Sequence, residues 1–298
     1  MLRKFKREFS FHAMMLPALI LTFLFAYIPM GGITIAFQNF IPAKGMFGDQ
    51  QWVGLGNFRY IFSMPDALNV IRNTVFISVG KMIGLIIVPV LTAILLNEVN
   101  RPGYKRVLQT VVSFPHFVSW VIMAAILTKL LSGSGMINTL LKTLGLKSIP
   151  FLSKAAVFPY TMIISDIWKE FGFSSIIYLA TITNIDPQLY EAARVDGANR
   201  WQLNWHITLP GMASIIVLMS LLSLGNILNA GFDQIYNMYN PIVMDTGDII
   251  DTFVYRMGII NFKYGVATAM GLFKSVISCI LISVSYYMAY RFADYRVF

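Results

Sequence analysis

The sequence EAARVDGANRWQLNWHITLP, residues 191–210, is a polar island between long apolar runs, and the rest of the chain is organised around it. Asp186-Pro187 just before it predicts an N-cap followed by proline at the first helical position. Gly197 stands where a helix would end and the chain reverse, because glycine takes positive φ without steric cost. Apolar and charged residues recur at helical spacing on both sides of Gly197. Taken alone, the pattern predicts an amphipathic helix-turn-helix lying on a membrane surface.

The composition around this island indicates that the solvent of the chain is a bilayer. Hydrophobic residues make up 57% and charged residues 12%, whereas a soluble domain is about 25% charged. A run of about 20 apolar residues crosses the hydrocarbon. We therefore predict an all-α polytopic membrane protein, with a single transmembrane domain over residues 1–298 and an uncleaved first span. The six predicted spans lie at residues 13–37, 71–96, 107–131, 156–182, 212–230 and 266–289.

The distribution of basic residues sets the predicted orientation. Six spans place both termini on one side, and the basic N-terminal head, the loop 97–106, the island and the tail all fall on that side. Short cytoplasmic loops carry an excess of lysine and arginine, so both termini are predicted to be cytoplasmic. The net charge of +9 then follows from topology, and nucleic acid is not a predicted partner.

Several kinds of chemistry are excluded by what the sequence lacks. Cys279 is the one cysteine, and the three histidines (His12, His116 and His206) have no ligand spacing, so no metal site is predicted. No G-x-x-x-x-G-K-[ST] phosphate loop, H-E-x-x-H motif or nucleophile elbow occurs. We therefore expect no enzyme activity and no cofactor, and we expect any ATP hydrolysis to take place on a separate subunit.

The island also resembles the EAA signature of permease subunits of binding-protein-dependent ABC importers, which is Glu-Ala-Ala, three residues, Gly, nine residues, then Ile-x-Leu-Pro. The resemblance implies the type I importer permease fold, with six transmembrane helices and residues 183–210 as a cytoplasmic coupling helix pair that docks into an ATPase groove. It implies a bacterial cytoplasmic membrane protein whose partners are an ATPase dimer, a second homologous permease subunit, an extracytoplasmic solute-binding protein and membrane lipid. The coupling residues would be Glu191, Ala192, Ala193, Asp196, Gly197, Ile207, Leu209 and Pro210.

Further stretches resemble the carbohydrate-importing members of this family, in particular the group handling complex oligosaccharides and the larger maltose-permease subunit. These stretches are residues 52–58, 112–120, 149–153 and 254–256. The resemblance implies that the chain translocates an oligosaccharide by alternating access. Two alternatives stay open: an importer permease for another solute such as an organic ion or peptide, and a stand-alone secondary carrier or membrane-bound enzyme.

Charged residues inside the fourth predicted span mark a candidate substrate path. Asp166, Lys169 and Glu170 share one helical face, and each charge at that depth costs about 2.5–3.5 kcal/mol unless it meets a partner or a watery cavity. One interpretation is that Lys169 pairs with Asp166 or Glu170 and holds the bundle together. The other is a sugar path, since the corresponding parts of the fourth and fifth spans line the cavity in sugar-importing relatives. Its predicted residues are Asp166, Trp168, Lys169, Glu170, Phe173, Asn226, Asn229 and Gln234.

Two further lysines within spans bear on the substrate. Lys81 and Lys274 raise the hypothesis of an acidic oligosaccharide such as a uronate. The alternative is that each lysine pairs with a neighbour or extends its amine to the interface.

Overall fold

The computed structural model describes residues 2–46 and 48–292 of the chain, and these residues are mostly helical. A two-stranded antiparallel ribbon pairs β1 (Gln38–Asn39) with β2 (Gln51–Trp52), with Gln38 opposite Trp52. The α-helices are α1 Leu2–Thr22, α2 Gly56–Ser63, α3 Pro65–Asn97, α4 Pro102–Ser113, α5 Trp120–Leu130, α6 Met136–Thr143, α7 Phe158–Thr183, α8 Pro187–Val195, α9 Arg200–Leu203, α10 Leu209–Gly211, α11 Ala213–Gly225, α12 Phe232–Met238, α13 Met244–Gly247, α14 Ile250–Tyr255 and α15 Tyr264–Phe292.

Short helices of other types connect several of these elements. The π-helical segments are Phe23–Tyr27, Asn204–Thr208 and Arg256–Ile260. The 3-10 segments are Ile28–Phe37, Pro42–Lys44, Phe114–Phe117 and Pro241–Val243. The first predicted span is thus α-helical through Pro17 and changes its hydrogen bonding at Phe23 and again beside Pro29.

By length and composition, three continuous helical stretches in the described residues are suited to cross a membrane: Phe11–Phe37, Pro65–Asn97 and Tyr264–Met288. Two bent pairs raise the number to as many as five: Pro102–Phe117 with Trp120–Leu130, and Arg200–Gly211 with Ala213–Gly225. Helix α7 also has the length of a span, 26 residues, but it carries three charges near its middle.

The third predicted span, 107–131, is wrong as one continuous helix. The helix pair on either side of residues 118–119 is bent by 103°. Pro115 has no N–H to continue the ladder, and Val118 and Ser119 take extended backbone angles. The Ser119 hydroxyl then caps α5 by accepting from the Ile122 N–H. The fifth predicted span differs in a similar way, because α11 ends at Gly225 and residues 226–230 are not helical.

The described residues form two compact units. The first comprises the described residues of 1–64 and 254–273. In it the Asn57 amide donates to the carbonyls of Ala36 (2.9 Å) and Gln38 (3.0 Å), which ties α2 to the strand β1. The asparagine of the stretch 52–58 therefore has a structural contact within this unit.

The second unit comprises the described residues of 65–253 and 274–298, and α3 and α7 form its centre. Gly80 and Gly84 of α3 face Ile163 and Ile167 of α7 so closely that an added Cβ would overlap the isoleucine side chains. The spacing is the G-x-x-x-G pattern that lets membrane helices approach. On the same helix α7, Gly172 lies against the backbone carbonyl of Val112.

Two apolar cores lie at different levels of α3 and α7. One contains Ile77 and Met162, and the other contains Val90 and Tyr178. Between these levels, the same two helices carry the buried Lys81 and Lys169 and the partly buried Asp166. The unit therefore has a polar layer between two apolar ones.

Candidate functional site

Helix α8, the first half of the predicted coupling pair, begins and ends with local hydrogen bonds. Asp186 Oδ1 accepts from the Gln188 N–H at 2.9 Å, which is the expected N-cap. At the other end Gly197 has φ +84°. Its N–H donates to Arg194 O (3.1 Å), and the Ala198 N–H donates to Ala193 O (2.9 Å). These two bonds form a Schellman motif, so the predicted reversal at Gly197 is present in the structure.

The second half begins with a capping box. Asn199 Oδ1 accepts from the Gln202 N–H at 2.9 Å, and Gln202 Oε1 accepts from the Asn199 N–H at 2.8 Å. Trp201 and Trp205 stack with their ring centroids 6.4 Å apart. Val195 is 88% exposed and Trp201 76% exposed. Large apolar side chains exposed together on a polar segment indicate a surface that binds a partner.

A cavity of about 330 Å³ lies in the angle between the two halves. It is lined by Ala193, Asp196, Gly197, Ala198, Gln202, Leu203, His206 and Ile207. Four of the predicted coupling residues therefore surround one concave surface. The others lie outside it: Glu191 and Ala192 are exposed on α8, Pro210 is exposed on α10, and Leu209 packs on the apolar core that contains Tyr178.

Glu98 was not among the predicted site residues, yet it holds this segment to the end of α3. Its Oε2 accepts from Arg200 Nη1 at 2.9 Å and its Oε1 accepts from Asn204 Nδ2 at 3.0 Å. Within the segment itself, the Tyr190 hydroxyl on α8 is hydrogen-bonded to the buried Thr208 hydroxyl at 3.0 Å. The available signal was a single carboxylate in the otherwise basic loop 97–106.

In the polar layer, Lys169 pairs with Glu170, one of the two partners named for it, and Asp166 pairs with Lys81. Lys81 Nζ lies 3.4 Å from Asp166 Oδ1 and donates to the Ala230 carbonyl at 2.7 Å and to Gln234 Oε1. Gln234 Nε2 donates to Met162 O (2.8 Å) and to Ser165 Oγ (2.9 Å). Gln234 is completely buried, and its amide fixes α12 to α3 and α7, whereas the bond from Lys81 to the Ala230 carbonyl holds the non-helical end of the fifth predicted span.

Lys169 and Glu170 form a second cluster, at the break between α4 and α5. Lys169 Nζ donates to Glu170 Oε1 (2.7 Å) and to the His116 carbonyl (2.9 Å), which the break leaves without a helical partner. It also lies 5.3 Å from the centroid of the Trp120 ring. His116 Nδ1 is hydrogen-bonded to Glu170 Oε2 at 2.5 Å.

The second cluster presents a flat aromatic face. The His116 ring stacks on Phe173 at 4.0 Å with an interplanar angle of 2°, and Phe117 meets Phe173 edge-on. Lys169 is buried, whereas Glu170 is partly accessible and Phe173 is 42% exposed. An aromatic face beside a carboxylate suits a sugar, because ring faces need flat apolar partners and hydroxyls need polar ones.

The remaining predicted path residues lie elsewhere. Trp168 lines an apolar groove on α7. Asn226 and Asn229 are exposed in the segment after α11. Lys274 pairs with Asp251 at 2.5 Å. Lys81, Lys169 and Lys274 therefore each have a carboxylate partner. Among the residues that the structure describes, no group of three or more His, Cys, Asp or Glu side chains could hold a metal ion.

Three long apolar helices and two bent apolar helix pairs in the described residues indicate a membrane protein. The chain belongs to the family of binding-protein-dependent transport system inner membrane components, whose family model matches residues 85–296. Protein LplB of Bacillus subtilis (strain 168) is 40% identical over 294 residues, which are 98% of this chain and 92% of that protein. The polygalacturonan/rhamnogalacturonan transport system permease protein YteP of the same organism is 39% identical over 288 residues, 96% of this chain and 89% of that protein.

Solved structures show the same similarity. A crystal structure of a bacterial ABC transporter involved in the import of the acidic polysaccharide alginate matches with a TM-score of 0.89 and 37% identity, over 97% of this chain and 98% of that one. The bacterial alginate transporter in complex with an alginate pentasaccharide-bound periplasmic protein matches with a TM-score of 0.89 and 36% identity, over 99% of each chain. These similarities confirm the identification of the chain as a multi-pass permease subunit of the sugar-importing ABC group, a transport component and not an enzyme.

Proposed function

We propose that this chain is a membrane-spanning subunit of an ATP-driven importer that carries an oligosaccharide into the cell, and that residues 183–210 couple it to a separate ATPase dimer. The observation that carries this proposal is the geometry at Gly197. The reversal there exposes Val195 and Trp201 beside a concave surface, while Glu98 holds the same segment to α3. Such a rigidly held, apolar protrusion is suited to docking in a groove of a partner.

In this proposal the chain is one transmembrane domain of six spans, with both termini and the coupling segment in the cytoplasm. Helix α7 is the fourth span: its 26 residues extend for about 39 Å, which exceeds the roughly 30 Å of hydrocarbon. Its three charges are compatible with a span because each has a partner inside the bundle. The family match over residues 85–296 includes segments of both compact units, which supports a single domain.

In this proposal, the contacts of Glu98 with the coupling segment transmit the effect of ATP to the polar layer. Closure of the ATPase dimer would move the coupling segment, and the Glu98 contacts would transmit that movement to α3. Helix α3 carries Lys81 and packs on α7 through Gly80 and Gly84, so the charged layer would move with it. This chain and a second homologous permease subunit would together enclose a transmembrane cavity. That cavity would then open toward a loaded extracytoplasmic binding protein.

The proposed substrate surface is the aromatic and acidic cluster of His116, Glu170 and Phe173, and Asn226 and Asn229, exposed after α11, stay proposed path residues outside this cluster. Lys169, Asp166 and Gln234 hold this surface in place from behind. The relatives that transport polygalacturonan or alginate support an acidic oligosaccharide as substrate. Lys81, Lys169 and Lys274 do not carry this inference, because each is paired with a carboxylate. Recognition of acidic groups would then fall mainly to the binding protein.

The test is uptake by reconstituted vesicles that contain this chain, its partner permease, the ATPase and the binding protein. We expect ATP-dependent uptake of a labelled uronate tetrasaccharide, little uptake of a neutral tetrasaccharide of the same linkage pattern, and loss of uptake when the ATPase is omitted. Equal uptake without the ATPase would show a stand-alone carrier. ATP-dependent uptake of a peptide or organic ion, but of no oligosaccharide, would show another solute class.

A further inference from the structure

An apolar groove on the second unit is not used by the proposed function. It has a volume of about 410 Å³ and lies between the C-terminal part of α5, the start of α6 and the first turns of α7. Its walls are Leu127, Leu130, Leu131, Ile137, Phe151, Val157, Tyr160, Thr161, Ile164, Ser165 and Trp168. The volume falls in the range of small-molecule sites, about 300–1,000 Å³.

The chemistry of the groove does not suit a sugar. Its polar side-chain groups are three hydroxyls and the Trp168 indole N–H, and two of the hydroxyls already have protein partners. Thr161 Oγ1 donates to the carbonyls of Phe151 and Val157, both at 3.2 Å. Ser165 Oγ donates to Thr161 O at 2.6 Å and accepts from Gln234 Nε2 at 2.9 Å. A ligand of this groove must therefore be mainly apolar.

The length of the groove matches one leaflet of a bilayer. Along α7 its lining extends from Tyr160 to Trp168, eight residues or about 12 Å at 1.5 Å per residue. Half of the hydrocarbon thickness is about 15 Å. Tyr160 is exposed near the start of α7, where an aromatic ring lies at the membrane interface, and Trp168 is near the middle of the span. An acyl chain that enters beside Tyr160 would end close to Trp168.

The segment at the open end of the groove is cationic. Lys129, Lys142, Lys147 and Lys154 are all exposed, and the sequence has no acidic residue between Glu98 and Asp166. Lys129 directly precedes the groove residue Leu130, and the Lys154 carbonyl accepts from the N–H of the groove residue Val157 at 2.9 Å. The segment 240–246 packs on this loop through the bond from Thr246 Oγ1 to Ala155 O (2.6 Å) and brings one carboxylate, Asp245, to the same end.

Helix α6 adds a second apolar surface beside these lysines. Met136, Leu140 and Leu144 follow each other at four-residue spacing and are 69%, 56% and 66% exposed. A short helix with an exposed apolar stripe next to lysines is the pattern of a segment that lies in a lipid interface. We expect such a helix at headgroup depth, and Ile137 puts its first turn in the wall of the groove.

From these four observations we propose that the groove binds one acyl chain of an anionic phospholipid, whose phosphate is held by Lys129 and Lys154. Charge complementarity favours an anionic headgroup, since each lysine near a membrane surface contributes to attraction by anionic lipid. The site is independent of the transported solute. Only its assignment to the outer leaflet rests on the proposed orientation of the chain.

The test uses the assembled transporter, delipidated and then titrated with phosphatidylglycerol or phosphatidylcholine brominated in one acyl chain. Bromine quenches tryptophan at contact distance, and the Trp168 signal is the difference between the natural chain and Trp168→Phe. We expect saturable quenching of Trp168 by brominated phosphatidylglycerol. The double variant Lys129→Gln, Lys154→Gln should weaken it roughly thirtyfold, toward the level seen with phosphatidylcholine.

Two matched variants separate a groove site from general contact with lipid. Ile164→Phe fills the groove and should abolish the saturable quenching, whereas Ile126→Phe, on an exposed position of α5 outside the groove, should leave it unchanged. Equal quenching in both variants would overturn the proposal. Quenching of Trp168 by bromolipid in the isolated subunit but not in the assembled transporter would also overturn the proposal. In that case a helix of the partner permease would occupy the groove.

Discussion

The carboxylate of Glu98, just after α3, accepts a hydrogen bond from Arg200 Nη1 at 2.9 Å, although the two residues are 102 positions apart. With the second bond from Asn204, this is a direct tie between a spanning helix and the proposed coupling segment. Because Arg200 is 71% exposed in its side chain, the charge pair by itself contributes less than about 1 kcal/mol. Its role is therefore to position the coupling segment, residues 183–210, relative to α3.

The first prediction concerns Glu98. Glu98→Ala should uncouple the transporter, lowering uptake per ATP hydrolysed several-fold, because Asn204 loses its acceptor and the segment loosens from α3. Glu98→Gln keeps a carbonyl acceptor and should retain most of the coupling. The measurement is the ratio of uptake to ATP hydrolysis in vesicles, with Arg106→Gln, an exposed change in α4, as control. An unchanged ratio in Glu98→Ala would remove this contact from the mechanism.

The second prediction concerns the reversal at Gly197. An L-residue at φ +84° costs roughly 1–2 kcal/mol, and a β-branched one resists that conformation further. Gly197→Val should therefore reduce substrate-stimulated ATP hydrolysis while the chain still reaches the membrane. Gly103→Val is the matched change, since Gly103 is not in the positive-φ region and has open space around it. Full coupled activity in Gly197→Val would contradict the assignment of the segment.

The third prediction compares two glycines between helices. A Cβ at Gly172 would meet the backbone of Val112, whereas a Cβ at Gly84 would meet the flexible end of Ile167. Overpacking typically costs about 1–3 kcal/mol, but a side chain can move and a backbone cannot. Gly172→Ala should therefore lower the melting temperature of the purified subunit clearly, and Gly84→Ala should do so only slightly. The reverse order would show that the packing of α7 differs from the structure.

The fourth prediction concerns the pair of Lys81 and Asp166. Removal of one partner of a buried pair costs about 3–5 kcal/mol because the other charge stays buried. Lys81→Met should therefore prevent assembly of a stable transporter. The double variant Lys81→Met, Asp166→Asn should recover part of it, because no unpaired charge remains. Size-exclusion recovery and thermal stability report the effect, and a double variant no better than the single one would refute the pairing.

Much of this organisation could be predicted from the sequence, because it depends on local signals. The N-cap at Asp186 and the reversal at Gly197 each depend on residues within about one helical turn, and the EAA spacing identified the family. The pairing partners could be predicted only in part: Lys169 pairs with Glu170, one of the two carboxylates named for it, but the partner of Asp166 could not be predicted. Asp166 and Lys169 share a helical face, yet Asp166 turns to Lys81 on α3 and Lys169 to the His116 carbonyl, and only tertiary packing decides this.

Two further features had signals that the sequence analysis did not use. Pro115 within an apolar run indicates a break in the third span, and that break supplies the carbonyl that Lys169 binds. Gly80 and Gly84 form a G-x-x-x-G pattern, which indicates a close helix contact. Glu98, in contrast, had only a weak signal, since one carboxylate in a basic loop is compatible with many contacts.

The docking of residues 183–210 on an ATPase subunit can be tested by cysteine cross-linking. In a Cys279→Ser background, a cysteine at Val195, which is 88% exposed, should cross-link to an ATPase subunit carrying cysteines along its groove, and ATP should change the yield. A cysteine at Leu144, 66% exposed and predicted on the opposite side of the membrane, should give no such product. Cross-linking from position 144, and none from position 195, would show that residues 183–210 are not the segment that docks on the ATPase.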